Sequence, residues 1–257
     1  MESYNCRFID YPNGSHVTFY KRSITRGKEQ TNEEDDEMNV NFRKAYKNEN
    51  RTIEQEKHCL KVSLSATKNR IYKIARTNMW DWFITLTFDR TRTDSSEYNM
   101  IVHRLTKFLN NVQQRKCPNL KYLIVPELHK DKMHYHFHGL LANADNMHFA
   151  YSGFDDKTGN PIFNILDWSW GFTTATRIKD SARASHYITK YITKDTENVI
   201  KEKNRYYCSK NIDRAEEIVE LLDEEDFQLT YADRITYCKT VHVPEAYQRI
   251  NYYELKD

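Results

Sequence analysis

Met133-His134-Tyr135-His136-Phe137-His138-Gly139-Leu140-Leu141 places a histidine at every second position. Alternate residues of a β-strand share a face. As a strand, this stretch puts His134, His136 and His138 on one side. Tyr135, Phe137 and Leu141 turn to the other, toward a core. Imidazoles two residues apart stand about 7 Å apart at their backbones, close enough to hold one divalent ion between them. A carboxylate is within reach. Residues 122–129 also read as a strand, and only Lys130-Asp131-Lys132 separates them from Met133. A two-residue turn at Asp131-Lys132 makes opposed residue numbers sum to 263, which sets Glu127 across from His136 and Val125 across from His138. Opposed residues of an antiparallel pair share a face, so one carboxylate and two imidazoles converge. The turn decides this. Asp-Lys lacks the glycine a two-residue turn favours, and a three-residue loop would reverse the parity.

The strand before it is 80–89, Trp-Asp-Trp-Phe-Ile-Thr-Leu-Thr-Phe-Asp. Phe83, Thr85 and Thr87 face one way; Ile84, Leu86 and Phe88 face the other, which separates a wet side from a core. Residues 95–116 follow as an amphipathic helix with Ile101, Leu105, Phe108, Leu109 and Val112 as its apolar stripe. Strand, helix and hairpin form a compact unit around an antiparallel sheet. Asn143 to Asp167 reads as loop, and 168–178 as a turn into a further strand. Trp168 and Trp170 read as anchors of that turn rather than base-stacking platforms.

Residues 181–195 read as a helix carrying a tandem repeat, Tyr187-Ile188-Thr189-Lys190 and Tyr191-Ile192-Thr193-Lys194. At roughly 100° per residue, Tyr187, Tyr191, Lys190 and Lys194 fall in one sector, and Ile188 and Ile192 beside it. The isoleucines are the natural buried pair. The tyrosines share their face with lysines instead of aliphatic residues. A phenol has a pKa near 10 and becomes a nucleophile toward a phosphodiester only where positive charge offsets the charge that develops. Lysines on the tyrosine face and a metal held by the histidine strand would both supply it.

The rest of the chain bounds the class. In 257 residues there are 18 Tyr and 12 Phe, enough for a sizeable core, but only 6 Gly, which argues against a glycine-rich phosphate loop. Net charge is +2, unevenly spread: 177–210 holds nine Lys/Arg against four acids, and 213–226 holds eight acids and one Arg. A basic segment beside an acidic one suits local binding of a polyanion. Five cysteines form no Cys-x-x-Cys pair, which points to a reducing cytosol. No apolar run approaches the roughly 18 residues of a membrane span, so none is expected. An N-terminal hairpin is expected at 4–19 with an Asn13-Gly14 turn, then an acidic linker at 26–38 and a helix over 41–77 ending near Asn78. Ala215 to Leu222 reads as a short acidic helix. Gln228 to Val243 reads as strand, pairing with the N-terminal hairpin.

His136-Phe137-His138 resembles the motif of HUH endonucleases: histidine, bulky apolar residue, histidine. Tyr187-x-x-x-Tyr191 with Lys190 and Lys194 resembles the paired-tyrosine motif of their rolling-circle replication initiators, in bacterial plasmids and single-stranded DNA phages. Phe83-Ile84-Thr85-Leu86-Thr87-Phe88 is similar to that family's first motif. The resemblance covers about 80–195. It implies an α+β fold with a central antiparallel β-sheet of about five strands flanked by helices. It also implies Mg²⁺ or Mn²⁺ on His136 and His138, with a variable third ligand. Glu127 takes that place by the hairpin argument; His129 and His134 compete for it. The implied reaction nicks single-stranded DNA at a replication origin, leaving a 5′-phosphotyrosine and a free 3′-hydroxyl. The implied catalytic residues are Tyr187, Tyr191, Lys190 and Lys194. The implied partners are a host helicase and DNA polymerase in a bacterial cytoplasm, since no nucleotide-binding loop of the Gly-x-x-x-x-Gly-Lys-Ser/Thr kind is present. The expected organisation is a hairpin, linker and helix (1–78), a nickase core (79–212) and a C-terminal helix and strand (213–257).

Two other classes fit parts of the pattern: a transposase or relaxase of the same chemistry, and a non-catalytic DNA-binding protein with a structural zinc. A structural zinc site usually includes cysteine, and none lies within ten residues of His136. Tyr207-Cys208-Ser209-Lys210 resembles the single-tyrosine motif of related viral initiators, but Tyr187 and Tyr191 stand at the expected distance after the histidine strand.

Overall fold

The computed structural model describes residues 2–26, 52–192, 203–243 and 248–257. Most of the expected acidic linker, the start of the expected 41–77 helix, and Lys194 lie outside these residues. In chain order the elements are β1 (Glu2–Tyr11), β2 (Gly14–Arg26), α1 (Ile53–Thr77), β3 (Trp82–Leu86), α2 (Tyr98–Arg115), β4 (Lys121–Leu128) and β5 (Tyr135–Ala142). There follow β6 (Phe149–Asp155), β7 (Pro161–Ile165), β8 (Thr173–Arg177), α3 (Ser181–Thr189), a 3₁₀ turn (Lys190–Ile192) and β9 (Tyr207–Cys208). The chain closes with β10 (Glu217–Glu220), α4 (Glu224–Thr230), β11 (Ile235–Val243) and β12 (Gln248–Leu255). Among the described residues this is an α+β fold of antiparallel sheets and four α-helices. It divides into two compact units, 63–214, and 1–62 with 215–257.

The 63–214 unit is built on a seven-stranded sheet in the order β6-β7-β8-β3-β5-β4-β9. β3 alternates as its sequence demands, with Trp82, Ile84 and Leu86 buried and Phe83 and Thr85 half-buried. Ile101, Leu105, Phe108, Leu109 and Val112 of α2 enter one core with Trp82, Ile84, Leu86, Phe137 and Leu141. Burying a side chain of that size stabilises by about 1.5–3 kcal/mol, so this packing fixes α2 on one face of the sheet. The histidines occupy the other. Glu97 starts α2, its carboxylate accepting from the N–H groups of Asn99 and Met100. Asn78 ends α1 as expected: it is buried, its amide donates to Ile74 O and Asp213 O, and its carbonyl oxygen accepts from Asp213 N.

The segment 143–167, expected as loop, contains the hairpin β6–β7. Its tip is turned by Gly159 at φ 78° and by Asp156, whose carboxylate accepts from the N–H groups of Thr158 and Asn160. β6 is the edge strand and half of the side chains of the pair are exposed, so they lack the clean apolar alternation that marks an inner strand.

The other unit is a five-stranded sheet in the order β10-β1-β2-β12-β11. Cys6, Val17, Phe19, Tyr253 and Leu255 cluster under Phe227 of α4. The N-terminal hairpin forms, but its two-residue turn is Pro12-Asn13, with Gly14 (φ 110°) paired to Tyr11. The acidic stretch 215–222 is not a helix. Glu217–Glu220 is an edge strand hydrogen-bonded to β1, and its residues are mostly exposed, so backbone pairing holds it without an apolar stripe. The strand expected over 228–243 begins only at Ile235, because Asp223 caps α4 just before it, accepting from Glu225 N and Asp226 N. The strand that pairs with the N-terminal hairpin is β12, against β2.

Candidate active site

β4 and β5 pair in the register Leu128↔Tyr135, Glu127↔His136, Val125↔His138. The parity is that of the two-residue turn, but the connection is longer. His129 N donates to His134 O, and Lys132 N to His129 O, leaving four residues in the loop. Lys132 takes the left-handed conformation (φ 57°). In place of glycine, the Asp131 carboxylate accepts from the N–H groups of Met133 and His134 and contacts the His134 ring nitrogen at 2.8 Å. Those hydrogen bonds hold the Asp131 carboxyl well below its usual range. An even-length loop keeps Glu127 and the histidines on one face.

There the three side chains meet. His136 Nε2 and Glu127 Oε2 are 2.9 Å apart, His138 Nε2 and Glu127 Oε2 2.8 Å, and the two Nε2 atoms 2.7 Å. All three residues are buried. Burial alone would raise the Glu127 carboxyl, but the hydrogen bonds and charge of His136 and His138 hold it well below the carboxylate range. Thr85, opposite His138 on β3, has its Oγ1 3.1 Å from His138 Nδ1. A proton on Nδ1 donated to that hydroxyl leaves the Nε2 lone pair aimed into the cluster. His136 Nδ1 is buried with no hydrogen-bond partner among the described residues.

Three donor atoms crowded together with so few protons to share suit a cation. Glu127, His136 and His138 could hold a metal ion. Donors about 2.1 Å from an octahedral ion lie about 3.0 Å apart on one face; the spacings here of 2.7–2.9 Å are close to that. A carboxylate with two imidazoles is a donor set for a divalent ion, and no cysteine joins the group among the described residues. Of the competing ligands, His134 is engaged by Asp131 at the turn. His129 lays its ring against His136, centroids 4.2 Å apart, without joining the cluster.

The tyrosine helix comes next to this group. Asp180 caps α3, its carboxylate accepting from Arg183 N at 3.0 Å. Ile188 is fully buried, as its spacing indicates. The regular helix is shorter than expected, tightening to 3₁₀ at Lys190–Ile192. Tyr191 stacks on His138, with centroids 3.7 Å apart. Tyr187 meets Tyr191 edge-on at 5.4 Å and is 44% exposed. Phe83 touches both rings, at 5.1 Å from Tyr187 and 6.1 Å from Tyr191. The Tyr191 phenol is pushed well up, first by burial, then by its hydrogen bond to Tyr187 and the charges of Tyr187 and Glu127. Lys190 Nζ lies 5.4 Å from the Tyr187 ring.

Phe83 and Thr85 are the contributors that the strand pattern left as ordinary sheet-face residues. Their place one strand over from His138 comes from the pairing of β3 with β5. Tyr207 lies elsewhere, on β9 beside β4, with its hydroxyl 3.0 Å from that of buried Tyr98. No described helix is long and apolar enough to cross a membrane.

Residues 81–196 match the family of replication-associated proteins of the ORF2 type, a span running from the start of β3 to just beyond the tyrosines. The match covers 116 of the 257 residues and likens that segment to replication-associated proteins. No match to the chain is found among curated proteins or among solved structures.

Proposed function

We propose that the chain is a rolling-circle replication initiator that nicks single-stranded origin DNA with Tyr191 and Tyr187, beside a metal held by Glu127, His136 and His138. The observation that carries this reading is the Tyr191 ring stacked on His138, which brings a phenol to the edge of the only metal-competent cluster among the described residues. The phenol oxygen attacks phosphorus, an oxygen–phosphorus bond forms, and the bond to the 3′-oxygen breaks. The phenol loses one proton and the departing 3′-oxygen gains one, so the exchange is balanced. The product is a 5′-phosphotyrosine and a free 3′-hydroxyl that a host polymerase can extend. A divalent ion, when bound, supplies positive charge at the phosphate oxygens.

The chain's own residues do the rest. Thr85 keeps His138 in the tautomer that presents Nε2. Phe83 packs against both tyrosine rings and keeps Tyr191 against the cluster. Tyr187 hydrogen-bonds Tyr191 and provides a second acceptor, so that two successive transfers can occur at one place, first cleavage and then rejoining. Lys190, exposed on the same helix, balances phosphate charge, and Lys194 extends that basic edge in sequence. A transposase or relaxase would share this chemistry, but the match to replication-associated proteins favours an initiator.

The test is formation of a covalent adduct. The protein is mixed with Mn²⁺ and single-stranded DNA tiled across its own replicon, then resolved on a denaturing gel. A shifted band that disappears in the Tyr187→Phe/Tyr191→Phe double variant and in His136→Ala is expected. An adduct that survives the double variant would move the nucleophile to another residue, with Tyr207 next in line. Duplex or single-strand binding without any adduct would leave a non-catalytic DNA-binding protein.

A further inference from the structure

From Tyr98 to Pro126 the chain has no Asp or Glu, although acids make up 37 of its 257 residues. Most of this acid-free run is α2. The apolar side of that helix enters the core beneath the sheet face opposite the histidines, so its outer side looks away from the metal cluster. That outer side is long and polar. His103, Lys107, Asn110 and Gln114 are exposed, and Arg104 and Asn111 are half-buried beside them. At 1.5 Å per residue, the span from His103 to Arg115 is about 18 Å.

A solvated helix face normally mixes charges of both signs in i,i+4 pairs. This one carries only positive charge, with amides between the cations. At one end the Arg104 guanidinium lies 5.6 Å from the Trp170 ring, and its Nε is buried without a hydrogen-bond partner among the described residues. Beside it a cleft of about 370 Å³ is bordered by Lys107, Asn111, Arg115 and Trp170. Lys116, also at its rim, is paired with Asp167; no ion pair joins Lys107 or Arg115 to a described residue. Protein-binding faces are marked by apolar and aromatic centres. This face is amide and cation, with Met100 as the exposed apolar residue of the helix.

We infer that the outer face of α2 is a second DNA-binding surface, specific for duplex, on the side of the sheet opposite the tyrosines. A single helix of this length fits a major groove. Lys and Arg meet phosphates there, and Asn and Gln side chains meet base edges. The surface would grip the duplex flanking an origin while the other face handles the single strand. It does not depend on the tyrosine chemistry.

The test uses the full chain, a fluorescein-labelled mixed-sequence DNA duplex and a labelled single strand, read by fluorescence anisotropy across a salt series. Lys107→Ala/Arg115→Ala removes two exposed cations, and Asn111→Glu introduces the missing negative charge. Both are checked for an unchanged melting temperature. Losing two phosphate contacts flattens the slope of log affinity against log salt by about 1.8. The expected result is that loss of slope, with duplex binding weakened about tenfold or more, while single-strand binding holds. Tyr187→Phe/Tyr191→Phe leaves duplex binding as it was, which separates this surface from the nicking site. The inference is overturned if the wild-type chain does not bind duplex, if the variants keep its affinity and salt slope, or if single strand and duplex weaken equally.

Discussion

The Tyr191 ring lies on the His138 imidazole with centroids 3.7 Å apart and planes 19° from parallel. Its i−4 neighbour Tyr187 is farther into solvent and reaches the same group only through Tyr191 and Phe83. The two tyrosines, equivalent in the sequence repeat, therefore have unequal places. Tyr191 stands beside the proposed metal ligands, and under the proposed function it is the residue that makes the first transfer. On an oligonucleotide with a single cleavage site, Tyr191→Phe is expected to slow adduct formation by about 100-fold or more, and Tyr187→Phe by much less. The check is the initial rate of the shifted band for each variant. The reverse order would assign the first transfer to Tyr187.

Thr85 acts through His138. Its hydroxyl, 3.1 Å from Nδ1, fixes which nitrogen faces Glu127. Thr85→Val keeps the shape and the strand preference and removes only the hydrogen bond. Loss of such a partner commonly weakens metal binding by about 10–100-fold. Titration calorimetry with Mn²⁺ is expected to show a drop of that order without a change in stoichiometry. A merely structural threonine would lower the melting temperature and leave the affinity for Mn²⁺ unchanged.

The β4–β5 turn has its own acid sensitivity. Asp131 is held below its ordinary value of 3.8 by the N–H groups of Met133 and His134. A carboxyl depressed in the folded chain stabilises it fully above the unfolded value. That contribution fades as pH falls below 3.8 toward the folded value. Asp131→Ala is therefore expected to lower the melting temperature near neutrality, with the gap to the wild type narrowing in acid. Thermal unfolding of both proteins at about pH 7 and about pH 3 measures it. A gap independent of pH would mean that the carboxylate's charge contributes nothing to the turn.

How much of this was legible depended on burial. The register Glu127↔His136 was read from a two-residue turn; the loop has four residues, yet the same register holds, and the buried face forbids the one-residue slip that would reverse it. β3 and α2 were readable for the same reason: Ile84, Leu86, Ile101 and Leu105 are all completely buried. β6, β7 and β10 were not. β6 and β10 are edge strands with side chains such as Phe154 and Ile218 exposed, and β7 is a short strand beside β6 with only Ile165 fully buried, so alternation is weak in all three. Thr85 and Phe83 were visible as sheet-face residues. Their bearing on the site required knowing that β3 neighbours β5, a pairing between strands far apart in the chain that no local pattern encodes. The end of α3 was misjudged because helical spacing does not distinguish a final α-turn from a 3₁₀ turn.

Gly171 marks another such non-local constraint. Thr87 N donates to Phe172 O and Asp89 N to Trp170 O, at 2.9 and 2.8 Å. Between those two bonds the backbone of 87–89 passes directly over Gly171. A Cβ there would lie 2.3 Å from Thr87 O and 2.4 Å from Asp89 N. These are backbone atoms, with no side-chain rotation to relieve the contact, so alanine must separate the two segments. Gly171→Ala is expected to destabilise the fold by at least the roughly 1–3 kcal/mol typical of overpacking. Denaturant unfolding gives the number directly. The same substitution at Gly139, where the closest atom is the tip of the Ile124 side chain at 2.2 Å, should cost less, because that methyl can turn away. Equal losses at the two positions would show that the 171 segment yields as readily as a side chain does.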